Sequence, residues 1–185
     1  MIMSEIVIIS GSPTKTSRSS AISSYLENQL INQGQQVSKI TVRDLPPEDL
    51  IYANFNSLEI KRVLSQIEQA QAVIVVSPVY KASYTGVLKT FFDLIPEKGL
   101  ADKVILPVAT GGSMAHLLSL EYAFKPLFSV LGGQEIKDGI YFVDSQISYQ
   151  ENQLTFLDVD VEHRVTTALQ EIVNRLAEKK LSVQS

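Results

Sequence analysis

Three short apolar runs, 6–9, 72–76 and 104–109, contain neither a charged residue nor a polar–apolar alternation. A strand with one wet face alternates, so unbroken runs of this kind are strands covered on both faces, as in a parallel sheet between helix layers. They are far too short to cross a bilayer, which takes about 20 apolar residues. Helical patterns separate them. The chain reads as a strand from Glu5 to Ser10, a helix from Ser19 to Gln33 stopped at Gly34, and a strand from Val37 to Val42. A loop over Asp44 to Asp49 follows. Next come a helix from Ser57 to Ala70 with Leu58, Val63, Leu64, Ile67 and Ala70 on one face, and the strand at 72–76. A helix from Gly86 to Ile95, the strand at 104–109 and a fifth strand from Gly139 to Val143 complete the sheet. Val161, Val165, Ala168, Leu169, Ile172, Val173 and Leu176 mark a C-terminal helix. Pro107 predicts that the fourth strand is irregular or close to an edge at that point. Five strands alternating with five helices make a doubly wound α/β sheet, here a single domain over residues 1–185.

Such sheets bind ligands at the carboxyl edge of the strands. The first loop on that edge, Ser10 to Ser20, holds five Ser, two Thr, Gly11, Pro13, Lys15 and Arg18, with no acidic residue. Hydroxyls, free N–H groups at a helix start and a guanidinium suit a phosphate. Ser and Thr also cap helices without any ligand, so the loop alone does not decide. It is neither G-x-G-x-x-G nor an NTPase P-loop, which favours a mononucleotide phosphate over a pyrophosphate. The loop after the third strand, Ser77 to Gly86, combines Pro78 with Tyr80 and Tyr84, flat rings with polar tips. The loop after the fourth strand, Thr110-Gly111-Gly112-Ser113, lets backbone approach a ligand closely. Each loop by itself is ordinary turn chemistry. Together on one edge they suit a phosphate joined to a flat heterocycle, the shape of FMN.

Composition closes off other classes. The chain has 185 residues, 45% of them hydrophobic, and no cysteine, so thiolate chemistry and disulfides are excluded and redox chemistry needs a bound cofactor. A net charge of −4 with no basic cluster argues against nucleic acid. His116 and His163 stand far apart, so no metal site is expected. His116 follows the glycine loop and reads either as a ligand contact or as a partly buried helix residue. No secretory signal and no membrane span are read, and a cytoplasmic location is expected.

The motifs G-S-P, S-R-S-S, S-P-V-Y-K-A-S-Y-T-G-V-L-K-T-F-F-D and A-T-G-G-S-M-A-H-L-L resemble the NADPH-dependent FMN reductases of the flavodoxin-like class. The likeness covers roughly residues 6–146. P-E-D-L-I-Y-A-N-F-N-S, A-H-L-L-S-L-E-Y-A-F-K-P and D-S-Q resemble most the FMN reductases of two-component alkanesulfonate monooxygenase systems. This resemblance implies a flavodoxin-like sheet of order 2-1-3-4-5, with FMN and NADPH or NADH as cofactors. It also implies a homo-oligomer, dimer or tetramer, and a monooxygenase partner that takes reduced FMN. Ser10, Ser12, Arg18, Ser19 and Ser20 would then hold the phosphate. Pro78, Val79 and Tyr80 would line the isoalloxazine, and Thr110, Gly111, Gly112 and Ser113 would close its other side. Thr14 departs from the pattern, because many relatives are basic there, and Lys15 is the nearest substitute. Lys81 and Lys89 match the family loop but read equally as solvated lysines. No residue is nominated as an acid or base. An FMN-retaining quinone, azo or metal-oxyanion reductase and a flavodoxin-like electron carrier are the competing readings. Finally, Pro126 within the apolar helical pattern 117–131 leaves the carbonyl of Tyr122 without its usual donor. A wider, π-helical turn at Tyr122 is one way to relieve this and is what the resemblance implies, at a subunit interface and as a device for flavin exchange; an ordinary proline kink with Tyr122 as core filler is the alternative.

Overall fold

Residues 5–150 and 153–183 are described in the computed structural model of the chain. The apolar runs become β1 (Ile6–Ser10), β3 (Ala72–Pro78) and β4 (Val104–Gly111), joined by β2 (Val37–Thr41). All are parallel: Ile6 pairs with Val37 and Ala72, Ser10 with Thr41 and Val76, Val76 with Val108, and Pro78 with Thr110. Alternation along each strand divides the core between the two faces. Val7, Ile9, Val73, Val75, Ile105 and Ala109 face one layer, and Ile6, Ile8, Ile74, Val76, Leu106 and Val108 the other. Both faces are dry, which is why the runs are unbroken. Each Ile, Leu or Val buried here contributes about 1.5–3 kcal/mol.

The second of those faces is covered by α1 (Arg18–Asn32) and the first by α3 (Leu58–Gln69) and α4 (Gly86–Phe92). After α1, Gly34 has φ +77. Its N–H bonds Ile31 O at 2.9 Å and the Gln35 N–H bonds Leu30 O at 3.0 Å, a Schellman stop. The 44–49 segment is not all loop: Pro47 opens a short helix, α2 (Pro47–Ile51), where a proline loses no hydrogen bond. In α3 the buried residues are Ile60, Val63 and Ile67, whereas Leu58 is 85% exposed. Ser57 caps the helix and places Leu58 at its first position, outside the stripe.

The fifth strand position is shared by two pieces, β5 (Glu135–Ile136) and β6 (Ile140–Val143), both parallel to β4. Ile105 accepts from the Lys137 N–H at 2.8 Å, so Pro107, two residues on, turns its missing donor toward the same side. The break between Ile136 and Ile140 falls there. Pro107 is tolerated in an interior strand because its neighbour is interrupted beside it. The order β2-β1-β3-β4 followed by β5/β6 is the expected 2-1-3-4-5 arrangement. An antiparallel hairpin, β7 (Ile147–Gln150) and β8 (Gln153–Phe156), was not expected. Phe156 stacks on Phe142 and meets Tyr25 of α1 edge-on at 5.0 Å. The chain ends in α6 (Val159–Val183), whose buried stripe includes Val161, Val165, Leu169, Ile172 and Leu176. Among the described residues no helix is long and apolar enough to cross a membrane.

The segment after β4 is a 3-10 turn (Met114–His116), a π-helical turn (Leu120–Phe124) and α5 (Lys125–Val130). The Lys125 N–H reaches back five residues to Leu120 O, the wide turn expected beside Pro126. Pro126 itself lies in the first turn of α5, where its lack of N–H is harmless. The extra residue keeps Leu120, Phe124, Phe128 and Leu131 in the core and puts Tyr122 outside, 79% exposed. Tyr122 is therefore not core filler.

Candidate functional site

The parallel register brings the ends of β1, β3 and β4 to one edge, and hydrogen bonds between their loops fix them together. The Gly11 N–H donates to Val76 O at 2.8 Å, and Thr85 Oγ1 donates to Gly11 O at 2.6 Å. The Val79 N–H donates to Thr110 O at 2.7 Å. A Cβ at Gly11 would stand 2.8 Å from Leu88 Cβ, so this first glycine serves close packing against α4.

The serine loop wraps the start of α1. Ser17 is the N-cap, accepting from the Ser20 N–H at 3.1 Å. Its Oγ also lies 2.8 Å from Ser12 Oγ, 3.2 Å from Ser19 Oγ and 2.9 Å from Ser20 Oγ. Ser12 and Ser20 donate to Thr14 O at 3.0 and 3.2 Å. Ser12 and Ser19 are buried and Ser20 half-buried. At the end of β1, Ser10 Oγ is buried with no hydrogen-bond partner among the described residues, a costly state that a ligand or water would relieve. The first turn of α1 carries no acidic residue. Hydroxyls and helix-start N–H groups thus gather in the loop between β1 and α1, and the orphaned Ser10 hydroxyl opens that loop, a set of groups that fits a phosphate. Arg18 points outward, and its Nη1 lies 3.4 Å from Asp144 Oδ2, on the turn after β6.

Beyond β3, Tyr80 and Ser83 bond each other both ways, at 2.8 and 3.2 Å. Between them Lys81 has φ +50 and Ala82 φ +66, so a tight turn holds two left-handed residues, neither of them glycine. Such a conformation costs energy that the surroundings must offset. Pro78 and Val79 are half-buried and Tyr80 is 51% exposed, free to face a ligand. Tyr84 is not free: its ring meets Phe124 of the π-helical turn edge-on at 5.4 Å. Lys89 pairs with Asp93 at 2.5 Å on the surface of α4, which supports the solvated reading of that lysine.

The glycine loop divides by function. A Cβ at Gly111 would lie 2.2 Å from Tyr141 Oη, and Tyr141 donates to Ser113 O at 2.7 Å. Burial, and then the Asp144 carboxylate, push the Tyr141 hydroxyl above its usual range, keeping it a protonated donor. Gly112, by contrast, faces open space, and Ser113 is exposed. Thr110 is buried at the strand end. His116 is exposed in the 3-10 turn, not partly buried in a helix. Ser17, Thr85, Tyr141 and Asp144 belong to this edge although the sequence reading gave none of them a role, Ser17 and Asp144 appearing there only within the S-R-S-S and D-S-Q motifs. Ser17 could have been found as the cap before the Ala21–Leu30 pattern. Tyr141 and Asp144 could not, because their role depends on where β6 lands.

The edge is an open shelf with a hydroxyl-rich end, a rigid aromatic turn and a bare backbone stretch. It can bind and orient a flat phosphorylated ligand. A family model described as NADPH-dependent FMN reductase matches residues 4–147. An FMN reductase (NADPH) of Pseudomonas putida is 46% identical over 146 residues, 79% of this chain and 74% of that protein. An FMN reductase (NADPH) of Escherichia coli is 40% identical over 178 residues, 96% of this chain and 93% of that protein. Among solved structures, the apo form of the NADH:FMN oxidoreductase EmoB has a TM-score of 0.80 at 32% identity. That match covers 90% of this chain and 87% of that one.

Proposed function

Because the chain belongs to the NADPH-dependent FMN reductase family, and so is an NAD(P)H:FMN oxidoreductase, we propose that it makes reduced FMN for release to a partner monooxygenase. The observation that carries this reading is the π-helical turn at Leu120–Phe124, which touches the flavin edge through Tyr84 and Phe124. π turns are rare and recur at functional sites, and this one packs against the aromatic loop that would line the flavin, where a shift of the turn would be felt by the ligand. That suits a ligand that must leave after each turnover.

Bound FMN supplies the hydride acceptor and a nicotinamide the hydride. The chain's own residues bind and orient. Ser10, Ser12, Ser19, Ser20 and Arg18 hold the phosphate end. Pro78, Val79 and Tyr80 line one side of the ring system, and Thr110, Gly111, Gly112 and Ser113 line the other through backbone. Two flat rings held face to face need position and a dry gap more than a proton donor. One chain leaves this shelf open. Met114, Leu117, Leu118 and Tyr122 are exposed apolar residues on the segment that leads away from it, and a second copy packed on them would exclude water. The protein is accordingly a homo-oligomer with Tyr122 at an interface, and its partner is an FMN-dependent monooxygenase, in organosulfonate sulfur assimilation.

Steady-state kinetics tests the reading. If FMN leaves each cycle, the purified protein is colourless and FMN shows its own saturation curve with NADPH or NADH. A yellow protein with ping-pong kinetics toward a quinone, azo dye or metal oxyanion would overturn release and favour a flavin-retaining reductase.

A further inference from the structure

We propose that Asp144 sets how weakly the site holds FMN, by occupying Arg18 in competition with the flavin phosphate. The proposal rests on the reading of Arg18 as a phosphate ligand and deepens it. The Ser10 to Ser20 loop contains no carboxylate, and the first turn of α1 has none. Yet a carboxylate from 126 residues downstream is delivered to the one guanidinium of that loop, with Asp144 Oδ2 3.4 Å from Arg18 Nη1.

The delivery is built into the fold. Asp144 opens the 3-10 turn Asp144–Gln146, directly after β6. Gln146 pins that turn from both sides. Its Oε1 accepts the Val143 N–H at 3.0 Å, and its Nε2 donates to Asp158 Oδ2 at 3.0 Å. Asp144 therefore stands on a fixed turn at the same sheet edge as the phosphate cradle.

Both side chains of the pair are close to half exposed, 47% and 42%. An ion pair of that kind adds little to folding stability. Its consequence is for binding. A phosphate dianion arriving at the cradle must draw Arg18 away from Asp144 and then remain near that carboxylate. Each effect lowers affinity for a ligand carrying a phosphate, and neither acts on the same ring system without one. A reductase that releases its product gains from such a built-in competitor.

The test compares FMN with riboflavin, which shares the ring and ribityl chain and lacks the phosphate. Dissociation constants are measured by flavin fluorescence for the wild type, Asp144→Asn, Arg18→Ala and the double variant. Asp144→Ser serves as a second replacement, and circular dichroism confirms folding. Expected is a roughly three- to tenfold tighter FMN complex in both Asp144 variants at low salt, shrinking as salt is raised. Riboflavin affinity stays unchanged, and in the Arg18→Ala background the Asp144→Asn gain falls below about twofold. If Arg18→Ala weakens FMN binding but the Asp144 variants do not alter it, or alter riboflavin equally, the competition is overturned alone. If Arg18→Ala leaves FMN affinity unchanged, the phosphate role of Arg18 fails and the proposal fails with it.

Discussion

At the scale of single residues, the two central glycines of the Thr110–Ser113 loop are not equivalent. Gly111 is required by Tyr141, whose Oη a Cβ would meet at 2.2 Å, whereas Gly112 has nothing near it. Gly111→Ala should therefore cost about 1–3 kcal/mol by overpacking and break the Tyr141–Ser113 bond. Adding Tyr141→Phe should recover part of that loss, because the clashing oxygen is then gone. Gly112→Ala should leave thermal unfolding unchanged and act on flavin binding only. Urea unfolding of the set, read beside FMN titration, checks the contrast. Arg18→Ala should weaken FMN binding by about 1.5–3 kcal/mol, the loss of a charge-assisted bond, with the melting temperature retained. Equilibrium dialysis against FMN measures it directly.

At the scale of elements, the loop after β3 and the π-helical turn form one unit through Tyr84 and Phe124. The Tyr80–Ser83 turn holds Lys81 and Ala82 at positive φ. Ala82→Gly removes the side-chain penalty there and should change stability by less than about 1 kcal/mol, since relief of strain is opposed by a floppier unfolded chain. Looser positioning of Tyr80 should appear instead as a raised KM for flavin. Tyr122→Ala removes an exposed ring and leaves the Leu120, Phe124 and Phe128 packing in place. It should be neutral for folding of the single chain but should alter flavin retention and transfer to a monooxygenase. Unchanged retention and transfer would separate the π turn from flavin exchange.

At the scale of the whole molecule, the exposed apolar residues around Tyr122 lead to an expected oligomer, and sedimentation at micromolar concentration should show no monomer. A second whole-molecule feature ties the short β5 to the C-terminal helix. Glu135 of β5 receives Arg175 Nε of α6 at 2.9 Å and lies 3.4 Å from Lys137 Nζ. Burial pushes the Glu135 carboxyl up, but Arg175 and then Lys137 outweigh it and hold it below the ordinary 4.5. A carboxyl depressed in the folded state stabilises above its unfolded value and loses that contribution as pH falls through the folded one. Glu135→Gln should thus lower stability at neutral pH by no more than about 1 kcal/mol, with the gap to wild type closing below about pH 4. Melting curves between pH 7 and pH 3 check the sign.

The unbroken runs at 72–76 and 104–109 fixed parallel strands with both faces covered, because only such burial tolerates continuous apolar side chains. Pro126 marked an irregular turn at Tyr122, since a missing N–H is a local fact readable from the chain, whereas the π form of that turn came from the family resemblance. The serine loop likewise showed a cluster of hydroxyls at the start of a helix, because a cap and its neighbours are close in the chain. What the sequence could not decide depended on pairs far apart along it. Pro107 was a warning until β5 and β6 were seen to part beside it. Leu58 looked like a core residue until the cap at Ser57 set its position on α3. The β7–β8 pair escaped because its side chains alternate weakly and its partner surface, Tyr25 and Phe142, lies on other elements. Asp144 reaches Arg18 across 126 residues only because β6 ends on the edge where α1 begins. Local chemistry is written in local order, whereas which charge faces which cradle is settled by strand register and sheet order.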